Sequence, residues 1–149
     1  MENKFLEAMK FRHATKEFDS TKKISDEDFD TVLEYGILSP SSFGFEPWKF
    51  LLVENEKIKE DFKTFAWGAI NSINGASHIL IILAKKGVIG TDSHSTYINE
   101  IKGYDEDTVK LRTEKFENFQ KEDIRVLENE RTIFDWASKQ TYIAMANMM

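Results

Sequence analysis

The sequence contains no cysteine, two prolines and seven glycines among its 149 residues. The absence of cysteine excludes disulfides, thiolate nucleophiles and cysteine-based metal sites, and it is compatible with a reducing compartment. Apolar runs are short, because the longest, ILIILA at 79–84, cannot span a bilayer. The first twelve residues contain no long apolar run of the kind that a secretory signal needs. We therefore predict a cytoplasmic protein without a membrane partner.

The overall charge is negative, with 26 acidic residues against 20 lysines and arginines and a formal net charge of −6. This balance argues against a nucleic-acid partner, since binding phosphate backbones requires a basic surface. The chain is 41% hydrophobic and has twelve phenylalanines, which is enough material for a packed core. With no linker-like segment, we predict a single domain over residues 1–149.

Catalytic motifs are also missing. The three histidines do not have metal-ligand spacing, and no GxSxG, P-loop or GxGxxG motif occurs. We therefore predict no metal site and assign no catalytic side chain.

The periodicity of the sequence predicts an α+β fold. A short helix is expected over 3–11, and a second begins at its N-cap Ser25 and stops before Pro40. Apolar segments predict strands at 48–55 and 76–86. Charge-dense or apolar periodic segments predict further helices at 105–131 and 132–149. Two strands are too few for a stable sheet, and the last helix has no stop signal. We therefore expect the fold to be incomplete at the C-terminus.

A basic cluster stands out against the acidic background in the stretch RHATK, residues 12–16. In an extended segment Arg12, Ala14 and Lys16 point to one side, so that the guanidinium and the ammonium could share one phosphate. The alternative is a solvated basic turn neutralised by Glu7, Glu17 and Asp19. The residues alone leave both interpretations open.

The stretch SPSSFGFEPW, residues 39–48, is the clearest loop. Its prolines, small hydroxyls and glycine can bring backbone groups close to a planar ligand. It could equally be an ordinary helix-to-strand connection anchored in the core by Trp48.

Four stretches in order resemble signatures of the nitroreductase family, the FMN-dependent NAD(P)H oxidoreductases. They are similar to the family's N-terminal basic signature, its serine-rich loop with the first strand, its second strand, and the start of its central helix. These stretches are RHATKEFD (12–19), SPSSFGFEPWKF (39–50), ASHILIILAKK (76–86) and DWASKQTYIAMANMM (135–149). The chain departs from the first signature at Ala14, where the family usually has serine, and it lacks the family's C-terminal part.

The resemblance implies a nitroreductase-like fold, with a mixed central sheet flanked by helices and a long buried helix at the interface of a homodimer. It also implies a role for each matching residue. Two FMN sites would lie at the subunit interface. The FMN phosphate and ribityl chain would be bound by Arg12, His13, Ala14 and Lys16, and the flavin ring by Pro40, Ser41, Ser42 and Gly44 of the other subunit. The flavin's pyrimidine edge would be bound by Asn71, and the acceptor side would be lined by Phe43 with Phe116 or Phe119.

The implied activity is hydride transfer from NADH or NADPH, through the flavin, to nitroaromatic, quinone or similar small-molecule acceptors by a ping-pong mechanism. Because the flavin performs this chemistry, no nucleophile–base pair is needed. Three alternatives remain: a flavin-binding protein without turnover, a family enzyme with different chemistry such as reductive dehalogenation, and an interaction module.

Overall fold

The computed structural model describes residues 3–149. In this range the chain forms seven α-helices and two β-strands. The helices are α1 (Lys4–Phe11), α2 (Asp26–Ile37), α3 (Glu56–Lys63), α4 (Ile70–Gly75), α5 (Ser93–Ile101), α6 (Glu106–Asn118) and α7 (Glu130–Met148), and the strands are β1 (Trp48–Leu52) and β2 (Leu80–Ala84). No helix in the described range is long and apolar enough to cross a membrane.

Most helices begin at a side chain that accepts a hydrogen bond from a free backbone N–H group. Asn3, Asn55, Asp92 and Asp105 cap α1, α3, α5 and α6 in this way. Ser25 precedes α2, and its Oγ accepts from the Asp28 N–H at 3.1 Å while donating to the Asp28 carboxylate. This reciprocal arrangement confirms the predicted start of α2.

The strands pair antiparallel in a two-stranded sheet, β1 beside β2. The backbone N–H of Lys85 donates to the carbonyl of Pro47 at 2.9 Å, and that of Val53 to the carbonyl of Ile79 at 2.9 Å. Both strands are shorter than the predicted 48–55 and 76–86. His78 therefore lies before β2 rather than inside it.

The chain divides into two compact units, and each is described by itself. The first unit comprises residues 3–31, 52–81 and 149. In it the buried Phe29 ring stacks on the His78 ring at a centroid distance of 4.0 Å. Gly75, at the end of α4, faces the backbone of Phe18, and a Cβ atom there would lie 2.3 Å from the Phe18 carbonyl oxygen.

The second unit comprises residues 32–51 and 82–148 and contains an aromatic core. Phe116 is fully buried at its centre and contacts Phe45 at 4.5 Å and Trp136 at 5.4 Å between ring centroids. Val88, Ile98 and Ala137 complete this core. The core thus joins the serine-rich loop to α6 and α7.

The segment 105–131, predicted to be helical, is helical over most of its length but is not one continuous α-helix. α6 ends at Asn118 and is followed by a π-helical turn over Phe119–Asp123 and a short 3-10 turn over Val126–Glu128. Between these turns Arg125 has a φ of 51°, in the left-handed region. The π-turn brings the buried Gln120 to the core, where its Nε2 donates to the Val88 carbonyl at 2.8 Å.

The contact at Gly75 gives a test of the first unit. Gly75→Ala should lower the free energy of unfolding by about 1–3 kcal/mol, because a backbone carbonyl cannot move aside cheaply. Gly68→Ala is the control, since nothing lies within 4 Å of a Cβ atom there. Urea unfolding monitored by circular dichroism measures both, and equal midpoints for the two variants would contradict the close packing of Gly75.

Candidate functional site

The basic segment begins where α1 ends. The Arg12 N–H closes the helix by donating to the Ala8 carbonyl at 2.8 Å, and the backbone of Arg12 is already extended. His13, Ala14 and Lys16 follow in a stretch without helix or strand, and all of these side chains are exposed. The prediction of an extended or turn segment here is confirmed.

No described carboxylate pairs with the cations of this segment. Within residues 3–149, no Asp or Glu oxygen lies within 4.0 Å of the charged nitrogens of Arg12, His13 or Lys16. Asp19, one of the expected neutralising residues, is bound instead to Thr21 and pairs with Lys22 at 3.7 Å. The alternative of a self-neutralised basic turn therefore finds no ion pair to support it.

Asp19 is held by two bonds from one residue. The Thr21 hydroxyl donates to its Oδ1 at 2.6 Å and the Thr21 N–H at 3.0 Å. These bonds favour the ionised form and lower the pKa of Asp19 below its usual value of 3.8, with a smaller contribution from Lys22.

His13 can contribute to anion binding in one protonation state only. Its Nδ1 lies 3.0 Å from the Phe11 carbonyl, which can only accept, so Nδ1 carries the hydrogen. In the neutral ring Nε2 is then an acceptor, and it donates to an anion only when the ring is an imidazolium.

The serine-rich loop is held in an unusual backbone conformation. Phe43, Gly44 and Glu46 all lie in the left-handed region, with φ of 56°, 64° and 50°. For Phe43 and Glu46 this conformation costs roughly 1–3 kcal/mol each and persists only where surrounding contacts enforce it. Glycine at 44 adopts it without a Cβ clash.

Contacts inside the second unit enforce this conformation. The Ser41 hydroxyl accepts from the Glu46 N–H at 2.9 Å, and the buried Gln140 accepts from the Ser42 N–H at 2.9 Å. His94 Nε2 donates to the carbonyls of Phe45 and Glu46 at 2.9 and 3.0 Å. The Glu46 carboxylate pairs with Lys102 at 2.7 Å, and Arg112 Nη2 donates to the Phe43 carbonyl at 2.8 Å. Pro40, by contrast, is exposed at the start of the loop.

The three phenylalanines predicted for the acceptor side come together. The Phe43 ring lies 5.1 Å from Phe116 and 5.2 Å from Phe119. Phe116 has no exposed surface and is a core residue of this chain. Phe43 and Phe119 are half-buried, so only these two have surface left for a ligand.

Asn71 lies in α4 of the first unit, and its side chain is exposed. Among the described residues its amide makes no hydrogen bond, so both its donor and its acceptor are available. Its role at a flavin edge stays a prediction.

Three side chains that hold the loop were assigned no functional role from the sequence: His94, Arg112 and Gln140. A signal was present for His94, because Asp92 is a favoured N-cap residue, and this places His94 in the first turn of α5.

The chain belongs to the nitroreductase family, since residues 9–149 match the model of that family. It is 51% identical over 150 residues to a Staphylococcus epidermidis protein named "Putative NAD(P)H nitroreductase", covering all of this chain and 68% of that protein. A Bacillus subtilis protein with the same descriptive name is 47% identical over 152 residues, covering all of this chain and 69% of that protein.

Solved structures show the same fold at lower identity. A Bacillus subtilis nitroreductase structure aligns with a TM-score of 0.76 at 20% identity, covering 98% of this chain and 68% of that one. An Exiguobacterium sibiricum nitroreductase in complex with FMN aligns with a TM-score of 0.71 at 20% identity, covering 100% and 69%. The predicted family and the predicted α+β nitroreductase-like fold are thereby confirmed.

The bonds to Asp19 can be tested by titration. Thr21→Val removes the hydroxyl donor and should raise the pKa of Asp19 towards 3.8, whereas Thr31→Val, a matched change in α2, should leave it unchanged. Because the pKa is lowered in the folded chain, the stabilisation is present above about pH 3.8 and is lost as the pH falls through the folded-state pKa. Carboxyl carbon NMR against pH measures this, and an unshifted Asp19 in Thr21→Val would contradict the assignment.

Proposed function

We propose that this chain is an FMN-dependent oxidoreductase that passes a hydride from NADH or NADPH to nitroaromatic, quinone or similar acceptors. The observation that carries the proposal is its identity of about one half, over its whole length, to proteins named for NAD(P)H nitroreduction. The FMN held by a structure of the same fold supports the cofactor.

The residues of the basic segment fit an FMN phosphate. Arg12 and Lys16 have no carboxylate partner among the described residues, so their charges are available to an anion. A guanidinium and an ammonium form strong charge-assisted hydrogen bonds with phosphate oxygens. Ala14 would contribute its backbone N–H, and an imidazolium at His13 would add a third cation.

The serine-rich loop fits a flat ring. Ser41 uses its oxygen inside the loop but keeps its hydroxyl hydrogen for a ligand, and Gly44 leaves the backbone open to close approach. As the family resemblance implies, we assign Pro40, Ser41, Ser42 and Gly44 to the ring of the flavin held by the partner subunit, and Asn71 to a flavin's pyrimidine edge. Phe43 and Phe119 would stack on the acceptor.

FMN, when bound, would supply the hydride chemistry, accepting from the nicotinamide and passing electrons to the acceptor. The chain's own residues then bind and orient. In the ping-pong cycle we propose, the oxidised nicotinamide leaves before the acceptor occupies the same space beside Phe43.

We further propose a cytoplasmic homodimer. Large apolar side chains remain exposed on the chain, among them Phe5, Phe11, Trp67 and Tyr142. Tyr142 lies on α7, the helix that the family resemblance assigns to the dimer interface. In the homodimer we propose, α7 would be covered by the partner subunit, which would remove Tyr142 from water.

The proposal predicts a spectral change. NADH or NADPH added anaerobically to the FMN-loaded chain should bleach the yellow flavin absorption band, and menadione should restore it. Retained FMN with no bleaching by either nicotinamide would favour a flavin-binding protein without turnover. A chain that stays colourless after dialysis against FMN would refute the proposal.

The phosphate assignment has its own test, because riboflavin is FMN without the phosphate. Arg12→Met and Lys16→Met should each weaken FMN binding by about tenfold to a hundredfold, the value of a charged hydrogen bond. Riboflavin binding should not change, and Lys10→Met, in the last turn of α1, should affect neither ligand. Quenching of flavin fluorescence measures all of these affinities, and equal losses for FMN and riboflavin would contradict a phosphate contact.

A further inference from the structure

Arg112 lies in an environment that is unusual for a cation. Its guanidinium carbon is 4.5 Å from the ring centroid of Tyr104 and 5.2 Å from that of Phe45. Its Nε donates to Asn99 Oδ1 at 3.3 Å and its Nη2 to the Phe43 carbonyl at 2.8 Å. Within residues 3–149 no carboxylate lies within 4.0 Å of it.

These partners show what the side chain does. A half-buried cation normally pairs with a carboxylate, but Arg112 is balanced by two aromatic faces and two neutral oxygens. Two of these partners are held in place by their surroundings, since Asn99 is buried in α5 and Phe45 is buried in the core. The guanidinium plane is therefore oriented before it reaches the Phe43 carbonyl.

The Phe43 carbonyl is the point where the loop needs an anchor. Gln140 binds the N–H group before it and His94 binds the carbonyls after it, but within residues 3–149 only Arg112 hydrogen-bonds to Phe43 itself. With φ 56° and ψ 8°, Phe43 would leave the left-handed region for a cheaper conformation if this bond were lost. Its ring would then turn away from Phe119.

We propose that Arg112 is a positioning residue that holds the Phe43 ring in place and thereby favours flat aromatic acceptors over small ones. This inference rests on the proposed function, since it assigns Phe43 to the acceptor. A ring held against Phe119 offers a fixed aromatic surface for stacking. An acceptor that does not stack gains nothing from it.

Lysine cannot replace arginine in this role. The contacts need a planar group that stacks on two rings while donating in two directions, and an ammonium is a compact point charge. Arg112→Lys should therefore keep the charge and much of the stability without keeping the position of Phe43.

The test combines a local structural measurement with flavin reoxidation. In Arg112→Met, amide hydrogen exchange in residues 43–46 should accelerate at least about tenfold, while exchange in the first unit stays unchanged. In stopped-flow reoxidation of the reduced flavin, the apparent Kd for menadione should rise roughly fivefold to tenfold, consistent with the loss of one aromatic stacking contact. The limiting rate with menadione and the rate constant with dioxygen should stay within about twofold.

Two variants make the result decisive. Lys110→Met removes an exposed cation from the same helix and should change neither exchange nor reoxidation. Arg112→Lys should match the unsubstituted chain more closely in thermal stability than Arg112→Met does, yet show the raised Kd for menadione. It also keeps the test valid if Arg112→Met fails to fold.

The inference is overturned if loop exchange in the Arg112 variants equals that of Lys110→Met, or if menadione and dioxygen are affected alike. Failure of the proposed function looks different, because the unsubstituted chain itself would then not be bleached by either nicotinamide. In that case the proposed effect of Arg112 on the acceptor is refuted together with the proposed function. Bleaching by the unsubstituted chain with an unchanged Kd for menadione in both Arg112 variants overturns the role of Arg112 alone.

Discussion

The left-handed backbone of the serine-rich loop is the constraint on which the second unit is built. Phe43 and Glu46 are held in conformations that a free peptide would abandon, and the energy for this comes from side chains on separate helices. His94 comes from α5, Arg112 from α6 and Gln140 from α7. The three helices therefore do more than fill the core, since together they fix one short loop from three directions.

The same arrangement explains the aromatic core. Phe45, two residues after Phe43, is fully buried against Phe116, so the loop enters the core and cannot move as a surface segment would. Phe43 then sits at the border, with one side against Phe119 and surface left on the other. A site made in this way is preorganised, and less conformational entropy is lost when a ligand binds.

Local signals predicted the parts of the fold that depend on local chemistry. The start of α2 follows from Ser25 and its end from Pro40, and both strands were recognised from their apolar character. The helix α5 was missed because its sequence, SHSTYINEI, is polar and has little helical pattern until the cap at Asp92 is considered. The π-helical turn over Phe119–Asp123 was missed because a charge-dense helical pattern contains no residue type that predicts a wider turn.

The candidate site likewise has parts that local signals predicted and parts that they did not. The basic segment and the loop could be located from residue types and from a family resemblance, both of which are local in sequence. The contacts that hold the loop join residues about 50 to 100 positions apart, such as Ser42 with Gln140, and one sequence carries no direct signal for such pairs. Phe116 was assigned to the ligand by the family resemblance, which does not tell which of the two phenylalanines is covered completely by this chain.

The tight packing of Gly75 has a consequence for the chemical lifetime of the chain. Asn74 and Gly75 form the dipeptide that deamidates most readily when it is flexible, because the glycine nitrogen can attack the asparagine amide. Here the pair is the end of α4, and Gly75 is fixed against the Phe18 backbone. In the helix, the Gly75 nitrogen is turned away from the Asn74 side-chain amide. Deamidation at position 74 should therefore indicate that α4 has loosened.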